Sequence, residues 1–570
     1  MSKNSQVLLD AIIKQEMQNL DVSNNISEFF EFYSALQILK DYELSYDEIY
    51  SGIAGKSHDG GVDSIYLFIN GELIKEDKDE DFQNSIISKY KKNIDIELVL
   101  IQSKYEDSFG EPALLKISRL CRNLFNLEFS REDFEGRYNN KVLSSFALFK
   151  KTYLGLITKR PKLKINIHYV SKGIDVHPNV RLQADDLEAD VAEKLTGSTV
   201  KVAFTGADDL VKISQSHVNN VFQLKLSEAP ISTSNQVFIA LTNLSEYFNF
   251  ITDKDNNLIK HIFESNVRDY QGKTNVNSEI QDTLKNPRRE EFWWLNNGVT
   301  VLASEITAPG GKELVIHNPE IVNGLQTSSE IYRYYSNNPD KIAEEKRDIL
   351  VRVMVPEDEE TRDRIIRATN SQTPIPKSSL RATDPIHRQI EDYLKPRGLY
   401  YDRRKNFYKN EGKKPKEIIG VPFISQCLMS TLMQKPDFAR ARPSTLLEND
   451  EAYSKLFHKN NDLNTYLMVA SWGRQVEQYL KELKTFNATE ITDIKFYVLY
   501  HSTCIITNSL YPSNSQINKK QENSLTPKIL ADSTNTIHQL YKYLGGNDKV
   551  AKGPKLKEAT IKKLKEDNNL

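Results

Sequence analysis

The chain has 570 residues, more than one hydrophobic core usually serves, so two or three domains are expected. Hydrophobic residues make up 39% of it and charged residues 27%, the balance of an ordinary globular protein. A net charge of −2 excludes a uniformly basic nucleic-acid coat, although a local basic groove remains compatible with it.

The cysteines and the first residues bear on the compartment. Cys121, Cys427 and Cys504 lie far apart, which favours a reducing environment and argues against a disulfide framework or a zinc knuckle. The opening "MSKNSQVLLDAIIKQEMQNL" predicts an amphipathic helix and no signal peptide, because acidic and amide residues interrupt its apolar positions. Apolar runs are too short to span a bilayer. We expect a cytoplasmic protein with no membrane partner.

Residues 1–225 alternate helix-like and strand-like segments, and we assign them to a first domain. In chain order the pattern predicts a helix at 27–42, buried strands at "VDSIYLFI" and "ELVLIQSKY", a helix at 111–127, a strand at 162–173, and a strand entering a helix over 199–213. This alternation predicts an α/β or mixed α+β fold.

The rest of the chain divides into two further parts. Residues 226–510 are denser in turns and aromatic residues, and we treat them as a second domain. Residues 511–570 open with "YPSNSQINKKQENS", which indicates a polar linker. They close with a lysine-rich stretch, predicted to be a helix or a frayed tail. No internal repeat is evident.

A first candidate site lies in the two strands of the first domain. Asp63 stands where one strand begins, while Gln102 and Lys104 share a face at the end of the next. If the strands pair, these groups meet at one sheet end, and the preceding helix adds the carboxylate of Glu31 or Glu28. Two carboxylates suit Mg²⁺ and a lysine can orient or activate water, which is the set that metal-assisted phosphodiester hydrolysis needs.

The pattern resembles the PD-(D/E)xK superfamily in its restriction-endonuclease-like branch. The resemblance implies an α/β/α core in which Glu31, Asp63, Gln102 and Lys104 are catalytic. It also implies that Asp63, Gln102 and Glu31 bind Mg²⁺, with Mn²⁺ as an alternative metal and Glu28 as an alternate ligand. Gln102 departs from the usual Asp or Glu, so the domain is expected either to cleave slowly under regulation or to hold nucleic acid without cutting it.

A structural interpretation of the same residues stays open. Strands that start with aspartate and end with lysine are common outside nucleases. The "HDGG" sequence before Asp63 also fits a tight turn in which the glycines supply positive φ, with His58 as a turn residue.

A second candidate site is spread over "NVRDYQG", "EFWWLNNGVTVLA", "NPEIVNGLQTSSEIYRYY", "RIIRATNSQTPI" and "YYDRRKNFY". Amides, hydroxyls and arginines in these stretches suit a bound nucleotide or nucleic-acid strand. The residues predicted to bind this nucleotide or nucleic-acid strand are Arg268, Asn296, Asn297, Asn323, Gln326, Thr327, Asn370, Gln372, Arg403 and Arg404. The alternative is that asparagines cap turns and that "YYDRRKNFY" is a solvated hairpin.

In their order these five stretches resemble the AIPR family, named for abortive infection phage resistance. The resemblance implies an α+β AIPR domain and anti-phage defence by attack on nucleic acid. Together with the nuclease resemblance of the first domain, it predicts a Mg²⁺-dependent nuclease under control of the AIPR domain, with DNA favoured over RNA, followed by a helical C-terminal part. A nucleoside triphosphate or a phage-derived trigger is a candidate ligand, and a homodimer a candidate assembly. A nucleic-acid or nucleotide sensor with an inactive nuclease-like domain is one alternative. A nucleotide-hydrolysing enzyme is another, although the chain lacks the "GxxxxGK[ST]" motif of P-loop proteins.

Overall fold

The computed structural model describes residues 4–42, 44–55, 57–74, 90, 94–215, 221–233, 236–254, 256–259, 261–263, 275–286, 290–370, 384–403, 405–441, 450–458, 461–483 and 485–568. The fold is mixed α+β, 56% helical and 17% strand, with a helical C-terminal part, which confirms the predicted class. Within the described residues, no helix has both the length and the apolar character needed to cross a membrane.

The first region is a five-stranded sheet with helices on both faces. Its strands are β1 (Ser64–Ile69), β2 (Glu72–Leu73), β3 (Asp95–Lys104), β4 (Lys162–Ser171) and β5 (Thr199–Thr205). Its helices are α1 (Asn4–Leu20), α2 (Ile26–Ile38), α3 (Tyr46–Gly52), α4 (Glu111–Leu124), α5 (Asn140–Leu156), α6 (Pro178–Lys194) and α7 (Ala207–Gln215). The strand order is β2-β1-β3-β4-β5, with β1 antiparallel to β3, and with β3, β4 and β5 parallel.

Two apolar cores explain the continuous apolar runs in the sequence. Leu98 and Leu100 of β3 pack into a core with α4, α5 and α6, whereas Val99 and Ile101 pack into a core with α1, α2, α3 and α7. A strand buried on both faces has no polar alternation to show. The helices and strands predicted for this region are confirmed.

The second region holds two antiparallel or mixed sheets. Its strands are β6 (Val221–Lys225), β7 (Ile231–Thr233), β8 (Val237–Asn243), β9 (Val299–Leu302), β10 (Glu305–Thr307), β11 (Glu313–His317), β12 (Glu320–Asn323) and β13 (Asp348–Met354). Its helices are α8 (Leu244–Phe250), α9 (Asn275–Lys285), α10 (Phe292–Leu295), α11 (Leu325–Asn337) and α12 (Glu359–Asn370). The orders are β10-β11-β6 and β12-β9-β13-β8-β7. Because β6 pairs with β11, residues 221–225 lie with this region and not with the first, where the sequence had placed them.

The third region is a bundle of helices around a small parallel pair, β14 (Tyr400–Asp402) and β15 (Ile418–Gly420). Its helices are α13 (Pro385–Leu394), α14 (Phe407–Asn410), α15 (Val421–Thr431), α16 (Pro436–Ala441), α17 (Asp450–Leu456), α18 (Leu463–Glu482), α19 (Ala488–Thr507), α20 (Asn514–Asn518), α21 (Pro527–Tyr543), α22 (Asp548–Lys552) and α23 (Pro554–Asn568).

The last sixty residues correct one prediction and confirm another. The segment predicted to be a polar linker contains α20, whose Ile517 is buried in the bundle core, so this segment packs against the other helices. The lysine-rich end forms α23, and its Leu556 and Leu564 are buried as expected of an amphipathic helix.

Candidate active site

Asp63 is fixed at the point where β1 begins beside the end of β3. Its backbone N–H donates to the Ile101 carbonyl at 2.8 Å, which continues the β1–β3 ladder by one residue. Its carboxylate Oδ2 accepts from the Gln102 Nε2 at 2.6 Å, from the Ser103 N–H at 2.6 Å and from the Ser103 hydroxyl at 3.2 Å. The side chain is only 4% exposed, so its orientation is set by these three donors.

The turn before Asp63 requires its glycines. Gly60 and Gly61 have φ of +70° and +88°, a region that favours glycine. A Cβ on Gly61 would lie 2.8 Å from the Lys116 Cβ and 3.4 Å from the Gln102 Oε1. Asp59 closes the turn, since its Oδ1 accepts from the Gly61 N–H at 2.7 Å. His58, at φ +58°, is exposed within this turn, as the turn interpretation predicted.

Glu31 of α2 contributes the second carboxylate. Burial, followed by the negative charge of Asp63, raises the pKa of Glu31 to about 8, while Lys104 opposes this rise and Asp59 adds to it. Asp63 and Lys104, the two charges that act most strongly on Glu31, both belong to this end of the sheet. Glu28, one turn earlier, accepts a hydrogen bond from the Ser23 hydroxyl at 3.2 Å. The structure therefore favours Glu31 over Glu28 as the partner of Asp63.

The pKa of Asp63 is also displaced. Burial raises it to about 6, and the negative charge of Asp59 adds to this effect. The Ser103 N–H and the charge of Lys104 act in the opposite direction, because both stabilise the ionised carboxylate. Two carboxyl groups with raised pKa values at the end of one sheet are a frequent mark of a functional site.

Lys104, the last residue of β3, is half-buried. Among the described residues, no carboxylate forms an ion pair with it, although its charge acts on both Glu31 and Asp63. Of the four residues predicted from the sequence, Asp63 and Gln102 are joined by a hydrogen bond, and the charges of Asp63 and Lys104 act on Glu31.

The oxygen donors here fit a hard divalent cation. All three hydrogen bonds to Asp63 end on Oδ2, so within the described structure no donor reaches its Oδ1. Mg²⁺ is commonly bound by one or two carboxylates together with waters and substrate phosphates, which Asp63 and Glu31 would satisfy. No three His, Cys, Asp or Glu side chains form a ready metal cluster in the described parts of the chain. Gln102 turns its amide nitrogen to Asp63, so it orients this carboxylate, and its role as a metal ligand stays a prediction.

Two residues of this site were not singled out from the sequence. Asp59 lies in the quoted "HDGG" turn and acts electrostatically on both carboxyl groups. Ser103 lies between the two predicted strand residues and donates twice to Asp63. No sequence pattern indicated that the charge of Asp59, four positions before Asp63, would act on a glutamate of α2.

The second set of predicted residues is partly brought together. Gly324 lies against Gly298, since a Cβ on Gly324 would be 3.1 Å from the Gly298 carbonyl oxygen. The loop that enters β9 and the turn that leaves β12 are therefore neighbours. Asn323 donates from its Nδ2 to the Thr369 carbonyl at the end of α12, which adds a third motif to this place.

The side chains of this set differ in their surroundings. Asn296 donates to the Phe292 carbonyl at 2.9 Å and closes α10. Asn297 is exposed, Gln326 is half-buried, and Thr327 is buried. Asn370 is the last residue of α12, and its side chain lies outside the described structure, as do Arg268, Gln372 and Arg404 altogether.

Arg403 has a structural environment. Its guanidinium is 3% exposed and forms ion pairs with Glu391 and, at 3.3 Å, with Asp363. Tyr408 donates to the other oxygen of Glu391 at 2.8 Å. A guanidinium engaged by two buried carboxylates is not presented to a phosphate, which counts against the binding role predicted for Arg403.

Similarity to a known protein family was found in the second and third regions. No match was found among curated proteins or among solved structures. The model of the family described as AIPR protein matches residues 263–544, which runs from the second region into α21. The predicted domain limits of 226 and 510 therefore both lie before those of the match. The match covers just under half of the chain, and residues 263–544 are therefore similar to the AIPR family, which is named for abortive infection phage resistance.

Proposed function

We propose that the first region is a metal-dependent nuclease and that the AIPR domain controls it during defence against phage. The observation that carries this proposal is the buried Asp63 carboxylate, held by Gln102 and Ser103 at the sheet end. The charge of Lys104 acts on Asp63, and the charge of Asp63 acts on Glu31. Such a set serves phosphodiester hydrolysis better than packing, because a stable core gains nothing from carboxyl groups that repel each other.

Each residue has a defined part in this reaction. Asp63 and Glu31 would hold Mg²⁺, with Mn²⁺ as the alternative, and the bound ion would lower the pKa of a water and neutralise charge on the phosphate. Gln102 and Ser103 keep Asp63 in one orientation. Lys104 would donate to a phosphate oxygen or to the attacking water, where negative charge grows in the transition state.

Direct contacts between the first and third regions support control by the AIPR domain. Arg474 of α18 donates from its Nη1 and Nη2 to the two carboxylate oxygens of Asp47 in α3, at 3.2 and 3.0 Å. Tyr408 and Ile418 belong to the same apolar core as α2, the helix that carries Glu31. A change in the AIPR domain would therefore reach the helix that positions one catalytic carboxylate.

The test is cleavage by the purified full-length chain. Plasmid, single-stranded DNA and RNA are incubated with Mg²⁺, with Mn²⁺ or with chelator. Cleavage that chelator abolishes is expected, and cleavage unaffected by chelator, or none on any substrate, contradicts the proposal. Lys104→Ala should lower the cleavage rate by about 10²–10³-fold at nearly unchanged melting temperature, the usual loss for one transition-state donor.

The matched control is Lys162→Ala. Lys162 begins β4 at the opposite end of the same sheet, and it is exposed. Its removal deletes the same charge without touching the site, so cleavage should stay within twofold of the wild-type rate. Equal losses for Lys104→Ala and Lys162→Ala would show that only the overall charge matters.

A further inference from the structure

The exposed face of α4 carries positive charge next to the candidate site. Lys116, Arg119 and Arg122 follow one another at intervals of three residues, so they lie along one side of the helix. Arg122 forms an ion pair with Asp190 of α6 at 3.5 Å. Lys116 and Arg119 are exposed, and no carboxylate in the described structure pairs with either of them.

The sequence of α4 adds no compensating charge to these two residues. The positions three and four residues away from Lys116 or Arg119 are alanine, proline, leucine, asparagine, or one of the three basic residues. Both cations are therefore available to a ligand, in contrast to Arg122.

The turn before Asp63 joins this face to the site. The Lys116 Cβ and the Gln102 Oε1 both lie within 3.4 Å of the point that a Gly61 Cβ would occupy. The base of the Lys116 side chain is therefore next to the residue that orients Asp63. The rest of the Lys116 side chain is a flexible four-carbon stem and is exposed, and Arg119 lies about one helical turn further on.

The site itself is unfavourable for a polyanion. Asp63, Glu31 and Asp59 are three acidic groups that interact with one another, and Lys104 is the cation that acts on Asp63 and Glu31. A nucleic-acid strand that approaches this end of the sheet needs positive charge beside the carboxyl groups.

We propose that Lys116 and Arg119 bind backbone phosphates of the nucleic-acid strand, next to the phosphate that is cleaved. This inference rests on the proposed nuclease function and names the surface along which its substrate lies. Two phosphate contacts of this kind fix the position of the strand and carry no base specificity.

The experiment measures binding apart from cleavage. Full-length protein is titrated in chelator into fluorescein-labelled oligonucleotides of one sequence, as single-stranded DNA, duplex DNA and RNA, over a series of salt concentrations. Lys116→Ala and Arg119→Ala should each reduce the slope of log Kobs against log salt by about 0.7–0.9, the value for one phosphate contact. The double variant should bind roughly tenfold more weakly at low salt.

Arg122→Ala is the matched control, because it removes a cation from the same helix face that Asp190 already neutralises. Its slope should stay at the wild-type value, and all variants should melt at the wild-type temperature since the residues are exposed. A wild-type slope in the double variant, or no binding by the wild type, overturns the inference.

Failure of the inference and failure of the nuclease proposal give different results. Cleavage by the wild type together with normal binding by the double variant leaves the nuclease standing and removes the role of α4. Binding that depends on Lys116 and Arg119, in a wild-type protein that cleaves nothing, retains the surface and removes the nuclease.

Discussion

The candidate site of the first region and the polar residues predicted to bind ligand in the AIPR domain differ in what their side chains contact. In the first region a few ionisable groups are crowded together: burial raises the pKa of both Glu31 and Asp63, and the negative charge of Asp63 raises that of Glu31 further. In the AIPR domain many amides and arginines are present, and Asn296, Asn323 and Arg403 bind backbone carbonyls or neighbouring carboxylates of the protein itself. Ionisable groups with shifted pKa values therefore distinguish a candidate site better than a high density of polar residues does.

The largest expected effect is on stability, at Arg403. If it holds the fold together, Arg403→Ala leaves Asp363 and Glu391 as uncompensated buried carboxylates and lowers the free energy of unfolding by about 3–5 kcal/mol. Urea or thermal unfolding of the full chain measures this loss.

Arg397→Ala is the control for this experiment. Arg397 is exposed, and its Cζ lies 3.8 Å from the centroid of the Tyr393 ring. Its guanidinium also donates to the Tyr393 carbonyl at 2.6 Å. Its loss should cost no more than about 1 kcal/mol. A stable Arg403→Ala protein with weakened nucleic-acid affinity would instead show that Arg403 binds ligand.

The raised pKa of Glu31 predicts a pH-dependent change in stability when its charge is removed. Its raised pKa means that the carboxyl group favours the folded state while protonated, fully so below its ordinary value of 4.5. This contribution is lost as the pH rises through about 8. Glu31→Gln removes the charge at similar volume, so the variant should gain stability over the wild type at pH 9 and gain little at pH 4.

The expected gain at pH 9 is about 1 kcal/mol or more, since one pKa unit corresponds to about 1.4 kcal/mol and the side chain is partly screened by solvent. Urea unfolding at both pH values measures it, and cleavage should fall at least about a hundredfold in the same variant. Glu28→Gln, one turn earlier on α2, is the control. A Glu31→Gln protein that is less stable at pH 9 would show that this carboxylate is a structural partner.

Most of the first site could be predicted because its chemistry depends on short-range sequence rules. Gln102 and Lys104 share a face through strand alternation, and β1 and β3 were marked by apolar runs with polar ends. That the two strands pair, so that Asp63 meets Gln102, was an assumption that the β1–β3 register confirms.

The rest depends on contacts between distant parts of the chain. The burial of Arg403 needs Glu391 of α13 and Asp363 of α12, and the packing of Ile517 needs the core of the helical bundle. Local patterns contain no record of such partners, so an exposed arginine and a polar linker were the natural predictions. The bond between Asn323 and Thr369 is of the same kind, since the two residues are 46 positions apart.

The smallest effect concerns the asparagine pair before Gly298, where two adjacent residues have different surroundings. Asn296 donates to the Phe292 carbonyl at 2.9 Å, so Asn296→Ala should cost about 1 kcal/mol of stability and leave ligand affinity unchanged. Asn297 is exposed, so Asn297→Ala should leave the melting temperature unchanged. Thermal unfolding and titration with a labelled oligonucleotide or a nucleoside triphosphate, run side by side on both variants, separate the two roles. Weaker binding by Asn297→Ala alone would make this loop a ligand site after all, and the contrast between the two regions would then hold only for Asn296.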